Sequence, residues 1–382
     1  MELKCPYFSL CGGCSKLDIS YEEEIKEKTE YVKKLFKTIN YNKDIEVVAA
    51  DSPYYYRNKV MMAFKLSKTK KVVSGIYEEY SHKIVPVSDC LIQSQTINKV
   101  LKSVNTALSK NKITPFVNGG VVKHVLVRYA IKTNQIMVVI VTPTDMFPGR
   151  ANFIKDLLKL EPGITTIVQN VQSRDTSIVL GTKERVLYGK GFIVDELCGL
   201  KFKLSPRSFF QINPPQTEKL YNIAMEFANL RIGNTVIDAY SGIGTIGMVA
   251  SKTCGKVICV ENNPDAVTDA RFNAKFNNIN NINFYCEDST KFINELAQNK
   301  IRVDCVILDP PRTGTTYNFI SAIAKMGIKR VVYVSCGPET LIRDLKIFKE
   351  FGYEIKNVKC VDMFSKTEHV ECVCTLTLAK KD

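Results

Sequence analysis

Long hydrophobic stretches are missing from this sequence. None of its 382 residues belongs to an uninterrupted apolar run of about 18 residues, the length that suggests a membrane-spanning helix. The N-terminus, MELKCPYFSL, is polar and cysteine-rich, which is not the pattern of a secretory signal peptide. From these two absences we expect a cytoplasmic protein without a membrane partner.

Acidic residues and histidine are also scarce. The chain has 53 Lys and Arg against 39 Asp and Glu, a formal net charge of +14, and only three His. Because so few groups titrate near neutrality, this positive charge persists at pH 7. A field of this sign favours a polyanionic partner such as nucleic acid, although a basic composition is also compatible with simple solubility.

The length of the chain indicates two domains, because 382 residues exceed the size at which one hydrophobic core stops growing. From residue 45 to about 200, turn residues separate short β-rich runs, which favours hairpins and an antiparallel sheet. The runs are KVVSGIY, HVLVRYA, QIMVVIVT, TTIVQNV and TSIVLG. Beyond residue 200, strands and helices alternate, as in a parallel α/β sheet. We therefore expect a mostly β domain over residues 1–200 and an α/β domain over residues 201–382.

One helix is predicted near the N-terminus, within residues 17–40. Apolar residues recur there at helical spacing, including Val32 and Phe36, with charged residues between them, and Ser20 is a candidate N-cap. The apolar face of this helix does not indicate which domain it packs against, so packing on the domain of residues 201–382 stays open.

The 13 cysteines do not suggest a disulfide framework, since their number is odd and no secretory signal is visible. Most lie in or beside apolar runs, as small core residues do. Cys5, Cys11 and Cys14 differ, because in CPYFSLCGGC two glycines let the backbone wrap around one point. Cys90 is the candidate for a fourth ligand. Four thiolates suit a [4Fe–4S] cluster or a zinc ion, and ordinary reduced thiols near a terminus are the alternative.

A glycine-rich turn opens the alternating half of the sequence. The strand-like TVIDAY runs into SGIGTIG and a helix, and the next strand ends at Glu261. Gly242, Gly244 and Gly247 would allow close approach of a ligand and of the helix to the sheet. A carboxylate at the end of the second strand can accept hydrogen bonds from both ribose hydroxyls. The pattern predicts a nucleotide-like ligand, and NAD enzymes share it.

Two further acidic residues narrow the choice among nucleotide-like ligands. Asp288 follows the third strand, where a carboxylate could contact adenine. Asp309 ends the fourth strand in ILDPPR, and the two prolines form a rigid bend that presents it at the carboxyl edge of the sheet. A turn alone would explain the prolines but not the acid. The leading ligand is therefore S-adenosylmethionine.

A cysteine ends the fifth strand, in VYVSCGPETL. Cys336 should reach the same crevice as Asp309, and the following helix N-terminus should stabilise its thiolate. A thiolate that adds to carbon 6 of a uracil makes carbon 5 nucleophilic toward a methyl donor. A base must then remove the proton from carbon 5, and Glu368, His369 and Glu371 near the last strand are the candidates.

Taken together, these motifs resemble the RNA uracil-5-methyltransferase family, which includes tRNA T-loop and 23S rRNA enzymes. The matching segments are CPYFSLCGGC with Cys90, FFQIN, DAYSGIGTIG, ILDPPR, VYVSCGP and TEHVEC. The resemblance implies a Rossmann-like methyltransferase domain and Cys336 as nucleophile, with Glu371 as base. It also implies that Asp309 and Arg312 face the uracil. The S-adenosylmethionine site implied by the resemblance comprises Gln211, Tyr240, Thr245, Glu261, Asp288 and Asp309.

The cysteine motif is similar to that of the rRNA branch, in which such cysteines hold [4Fe–4S], so the resemblance favours 23S rRNA over tRNA. Thr245 and Gly337 depart from the family, which often has Asn at both positions. Because the motif starts at residue 5, we expect no small N-terminal RNA-binding barrel, and we expect RNA to bind to the β-rich half. We also expect a monomer. The alternatives are a purine amino-methyltransferase, a non-catalytic iron–sulfur RNA-binding protein and, closer chemically, a methylcytosine enzyme, although the usual Pro-Cys nucleophile is missing.

Overall fold

The computed structural model describes residues 3–174, 176 and 178–379. Taken over these residues, no helix combines the length and the apolarity needed to cross a membrane. The α-helices are α1 Tyr21–Lys37, α2 Gln95–Lys110, α3 Arg150–Leu160, α4 Pro214–Ala228, α5 Thr245–Ala250, α6 Pro264–Phe276, α7 Ser289–Gln298, α8 Tyr317–Lys325 and α9 Pro338–Glu350. The strands of the first half are β1 Val47–Val48, β2 Lys59–Leu66, β3 Val72–Tyr77, β4 Ile84–Pro86, β5 His124–Ala130, β6 Gln135–Thr142, β7 Ile164–Val171, β8 Lys183–Tyr188, β9 Ile193–Leu197 and β10 Leu200–Leu204. Those of the second half are β11 Thr235–Ala239, β12 Lys256–Glu261, β13 Ile282–Cys286, β14 Cys305–Leu308, β15 Arg330–Ser335, β16 Tyr353–Val361 and β17 Glu371–Leu378.

An eight-stranded sheet forms the larger layer, in the order β1-β16-β17-β15-β14-β11-β12-β13. Strands β11 to β15 are parallel, and β17 runs antiparallel between β15 and β16. The parallel strands are apolar because helices cover both faces of the sheet. Their carboxyl ends meet at one edge, where ligands bind in open α/β sheets. The predicted Rossmann-like fold is confirmed.

A seven-stranded sheet occupies most of the first half, in the order β4-β3-β2-β5-β6-β7-β8. Its pairings are antiparallel apart from β6 with β7, which helix α3 connects in a parallel crossover. Helices α2 and α3 share a hydrophobic core with this sheet. The runs HVLVRYA and QIMVVIVT coincide with β5 and β6, as predicted.

The prediction of a strand at TSIVLG, residues 176–181, is wrong for residues 178–181, which form no strand. Residue 177 lies outside the described residues. Side-chain amides, rather than a neighbouring strand, hold this backbone. Gln172 Nε2 donates to the Ile178 carbonyl at 2.8 Å, and the Gly181 N–H donates to Asn170 Oδ1 at 2.7 Å. The strand of this region, β8, begins only at Lys183.

The N-terminal segment is built onto the sheet formed by the C-terminal half. The Ser20 hydroxyl caps α1 by accepting from the Glu23 N–H at 3.1 Å, in agreement with the predicted cap. Val32 and Phe36 are fully buried in the core of the eight-stranded sheet, and β1 pairs in parallel with β16. The predicted boundary at residue 200 falls at the start of β10, and the division into two domains remains a prediction.

Four buried charges, which we call the ionic hub, connect α1 to the loop between β16 and β17. They are Glu24, Lys28, Asp362 and Lys366, each at most 2% exposed. Lys28 Nζ donates to Glu24 Oε1 and to Asp362 Oδ1, both at 2.7 Å. The Lys366 N–H donates to Glu24 Oε1 at 2.7 Å, and Lys366 Nζ lies 3.7 Å from Glu24 Oε2. The two positive and two negative charges cancel inside a space closed to solvent.

Replacing Lys28 with Met should destabilise the protein strongly. The change keeps the volume of the side chain but leaves Asp362 and Glu24 short of a counter-charge, and breaking a buried pair in this way costs about 3–5 kcal/mol. Urea unfolding of Lys28→Met measures the loss. Lys33→Met is the matched control, because Lys33 on the same helix pairs with the exposed Asp44. Equal stability of the two variants would contradict a structural role for the hub.

Candidate active site

A cavity of about 660 Å³ opens at the carboxyl edge of the parallel strands. The loops after β11, β14 and β15 line it, together with the segment before α4 and the start of β17. The structure brings eight of the nine predicted substrate, cofactor and catalytic residues to its wall. They are Gln211, Tyr240, Thr245, Glu261, Asp309, Arg312, Cys336 and Glu371.

The ninth residue, Asp288, does not line the cavity. It caps helix α7, where its Oδ1 accepts from the Lys291 N–H at 2.9 Å. Its charge still acts on the site, because it raises the pKa of Tyr240 on the cavity wall, an effect secondary to the burial of that tyrosine. Its role toward a ligand stays a prediction.

The glycine-rich turn between β11 and α5 forms one side of the cavity. Gly242 and Gly244 have positive φ values of 54° and 79°, which few other residues adopt. A Cβ on Gly247 would lie 2.5 Å from Cys259 Sγ and 2.8 Å from Asp238 Oδ2, so only glycine lets α5 sit this close to the sheet. Glu261 Oε2 accepts from the Gly242 N–H at 2.9 Å and thereby holds the turn against the end of β12.

Among the cavity residues that the sequence-based prediction missed are Asp238 and Ser241, and both carry an unpaired buried oxygen. Asp238 Oδ2 accepts from the Gly247 N–H at 2.7 Å, whereas Asp238 Oδ1 has no partner among the described residues. The Ser241 hydroxyl is equally unpaired there. Burial raises the pKa of Asp238 to about 7. An acid inside the otherwise apolar strand TVIDA is the sequence signal that could have identified this position.

Two carboxyl groups face the cavity without hydrogen bonds to their side chains from the described part of the chain. They belong to Asp309, after β14, and to Glu371, the first residue of β17. Burial raises the pKa of Asp309 to about 7. Burial, and next the negative charge of Asp309, raise the pKa of Glu371 to about 8. Each group is therefore ready to donate or accept a proton near neutrality.

Cys336 is partly buried between β15 and α9, next to these carboxyl groups. The expected stabilisation of its thiolate by the N-terminus of α9 is not what the structure gives. The pKa of Cys336 is raised, first by burial and then by the charges of Glu371 and Asp309, with Arg312 opposing them. Burial and the two carboxyl groups together outweigh the nearby cation, so the free site disfavours the thiolate.

The three candidate bases lie in different surroundings. Glu371 is only 3% exposed and faces the cavity, and His369 lines it as well. Glu368 is exposed and lines the neighbouring clefts instead. The pKa of His369 is lowered, mainly by burial and then by the charge of Arg312. Glu371 shares the 660 Å³ cavity with Cys336, whereas Glu368 shares with Cys336 only a neighbouring cleft.

The four predicted cluster cysteines meet beside the seven-stranded sheet. Cys90 belongs to the core of that sheet, and Cys11 and Cys14 pack against it. Burial first, and then the charges of Cys90, Cys11 and Cys5, raise the pKa of Cys14 to about 12, with Arg57 opposing them. Even so, within residues 3–174, 176 and 178–379 no three or more His, Cys, Asp or Glu side chains are arranged as ligands of a metal ion. The structure thus places the thiols near one another without forming a metal-ligand geometry, and the [4Fe–4S] cluster stays a prediction.

Known proteins resemble this chain over nearly its whole length. It is 38% identical over 382 residues to an uncharacterized RNA methyltransferase of Clostridium tetani, which covers 99% of this chain and 83% of the relative. It is 39% identical over 375 residues to one of Oceanobacillus iheyensis, covering 96% of this chain and 82% of the relative.

A solved structure shares the fold over nearly the whole chain. The tRNA (uracil-54, C5)-methyltransferase of Pyrococcus abyssi, in complex with S-adenosyl-L-homocysteine, superimposes with a TM-score of 0.81. It is 26% identical and covers 98% of this chain and 86% of its own. Residues 20–380 match the family described as tRNA (Uracil-5-)-methyltransferase. This chain belongs to that family and is an S-adenosylmethionine-dependent RNA (uracil-5-)-methyltransferase.

Proposed function

We propose that this enzyme methylates carbon 5 of a uridine in 23S rRNA through a covalent Cys336 adduct that Glu371 resolves. One observation carries the proposal: a thiol, two carboxyl groups of raised pKa and a glycine-rich turn line a single cavity. A purine amino-methyltransferase would not need the thiol, and a non-catalytic RNA-binding protein would need none of the three.

The reaction begins when the Cys336 thiol, after losing its proton, forms a bond to carbon 6 of the uracil. The electron pair displaced from the ring makes carbon 5 nucleophilic. S-adenosylmethionine supplies the methyl group, which passes to carbon 5 as its bond to sulfur breaks. Glu371 then takes the proton from carbon 5, the ring double bond reforms, and the bond from carbon 6 to Cys336 breaks. The released thiolate takes up a proton from solvent, which received the thiol proton at the first step, and Glu371 passes the carbon 5 proton to solvent, so thiol and carboxylate are both regenerated.

The remaining cavity residues would bind the two substrates. Glu261 is placed to accept from ribose hydroxyls, since each of its oxygens has further acceptor capacity. The unpaired oxygens of Asp238 and Ser241 would accept from donors of the methionine part, for example its ammonium group. Because the pKa of Asp309 is about 7, part of this carboxyl group is protonated near neutral pH and could donate to a uracil carbonyl. Arg312 offers a second donor. Gln211, Tyr240, Thr245 and Asp288 complete the proposed S-adenosylmethionine site.

Trapping of an intermediate tests the roles of Cys336 and Glu371. In Glu371→Gln the carboxylate is lost but the size is kept, so methylated RNA should remain bonded to the enzyme and survive denaturing electrophoresis. Cys336→Ala should yield neither adduct nor product, and the double variant should lose the adduct as well. Methylation of uridine by Cys336→Ala would contradict the mechanism, whereas trapping by Glu368→Gln alone would move the base to Glu368.

Two classes of RNA are candidate targets. The cysteine motif supports 23S rRNA. A uridine in tRNA is the second candidate, because the family description and the Pyrococcus abyssi relative both specify tRNA. Either RNA would meet the basic first half, which we propose as an RNA-binding domain over residues 1–200, beside a catalytic domain over residues 201–382. We also propose a cytoplasmic monomer.

Labelled methyl transfer decides between the two RNAs. Purified enzyme is incubated with labelled S-adenosylmethionine and with unmodified tRNA or 23S rRNA fragments, and the methylated base is then mapped. We expect label at carbon 5 of uridine in the rRNA fragment. Label confined to tRNA would overturn the choice of target and leave the chemistry intact, while label on a purine amine would overturn both.

The four cysteines are proposed to hold [4Fe–4S], because their chemistry suits it and their thiols lie close enough to raise the pKa of Cys14. Such a cluster would stabilise the N-terminal segment without entering the reaction. Anaerobically purified protein should then be brown, with a broad visible absorption that Cys11→Ser loses. Colourless protein with one equivalent of zinc would refute the cluster, and Cys198→Ser, distant in sequence, is the matched control.

A further inference from the structure

The loop between β16 and β17, residues 362–370, ends at the proposed base. It starts from Asp362 in the ionic hub, and Val361 pairs with Glu371 where the two strands meet. The loop is held on its inner side by the hub. The Ser365 hydroxyl also donates to Asp362 Oδ2 at 2.6 Å, so this carboxylate accepts from inside the loop as well as from α1.

The segment just after the cysteine motif holds the same loop from outside. The backbone N–H groups of Ser15 and Lys16 donate to the Lys366 carbonyl at 3.1 and 3.2 Å. The Glu368 N–H donates to the Ser15 hydroxyl at 2.9 Å. Lys366 has φ of 64°, a left-handed conformation that is costly for a side chain of this size and that these contacts help to maintain. The N-terminal segment therefore fixes the loop at residues 366 and 368, within a few residues of the base.

Glu371 depends on its backbone for its position. Its carboxylate makes no hydrogen bond within the described residues, so no side-chain partner aims it at the cavity. Strand pairing fixes it on one side, through Cys360 opposite Cys372, and the loop fixes it on the other. Cys336 follows Ser335, which pairs with Cys372 of β17, so the strand pairing supports the thiol as well. The hydrogen bonds of Ser15, Lys16 and Ser365, in contrast, go to the loop and not to Cys336 or Asp309.

We propose that residues 14–28 position Glu371 for proton removal by holding the 362–370 loop, with Ser15 and Ser365 as positioning residues. The inference rests on the proposed function, in which Glu371 acts only after methyl transfer. Loosening the loop should therefore slow the breakdown of the adduct while its formation, which depends on Cys336, continues. A purely structural role would instead lower every step together, in proportion to the amount of folded enzyme.

The variants Ser15→Ala and Ser365→Ala test this. Each removes one hydroxyl: the first frees the Glu368 N–H, and the second leaves Asp362 with its contacts to Lys28 and to the Tyr21 hydroxyl. Ser20→Ala is the matched control, since it removes a hydroxyl that accepts from the Glu23 N–H in the same segment without touching the loop. Ser15→Thr keeps the hydroxyl and should behave as the unchanged enzyme.

The measurement is the fraction of enzyme in the covalent adduct over time, with the tRNA or 23S rRNA fragment that the unchanged enzyme methylates. A misplacement of about 1 Å can cost a reaction about a hundredfold, so we expect adduct breakdown to slow by about tenfold or more in both alanine variants. S-adenosylmethionine affinity should not change. Ser20→Ala should show an unaltered ratio of adduct to product.

Two outcomes would overturn the inference: both alanine variants losing activity at an unchanged ratio of adduct to product, or Ser20→Ala accumulating as much adduct as they do. Glu371→Gln separates this failure from that of the proposed function. If Glu371→Gln traps RNA and the serine variants do not, only the positioning role is wrong. If Glu371→Gln traps nothing, the proposed reaction itself is wrong.

Discussion

Four buried charges that neutralise one another join the first helix of the chain to its last loop. Taking a carboxylate or an ammonium group out of water costs several kcal/mol, and that cost is offset only while every partner is present. Glu24 and Lys28 come from the first helix, and Asp362 and Lys366 from the last loop. The hub thus anchors the N-terminal helix to the eight-stranded sheet, whose strands, apart from β1, all lie in the second half of the chain.

The cavity has the opposite electrostatic balance. Asp238, Asp309 and Glu371 share one wall, and burial keeps all three pKa values near or above neutrality. A cavity with this many carboxyl groups favours a positively charged ligand, and the methyl donor carries a sulfonium and an ammonium group. Binding of such a ligand should lower these pKa values, because a nearby positive charge stabilises the ionised carboxylates. The three carboxyl groups therefore lack a positive counter-charge in the free site, and the sulfonium and ammonium groups of the ligand would supply it.

Local signals made much of this arrangement predictable. Apolar runs placed β5 and β6 correctly, and strand-end motifs brought Asp309 and Cys336 to one cavity, because parallel strands end at a common edge. The hub was not predictable, since Glu24 and Lys28 read as the solvated face of a helix when their partners lie more than 330 residues away. The raised pKa of Cys336 was missed for a similar reason: it depends on burial and then on the carboxyl groups of Glu371 and Asp309 from two other parts of the chain, which no local motif reveals.

The two-residue strand β1 has a consequence for how the chain reaches its native state. It pairs with β16, and Lys28 meets Asp362 across 334 residues, so both ends must come together around the whole seven-stranded sheet. The entropy of closing such a loop is lost before the contacts it allows can form, which makes contacts of this range late events. During synthesis, α1 leaves the ribosome with Glu24 and Lys28 able to pair only with each other, and it acquires Asp362 and Lys366 as partners only when the final hairpin has emerged.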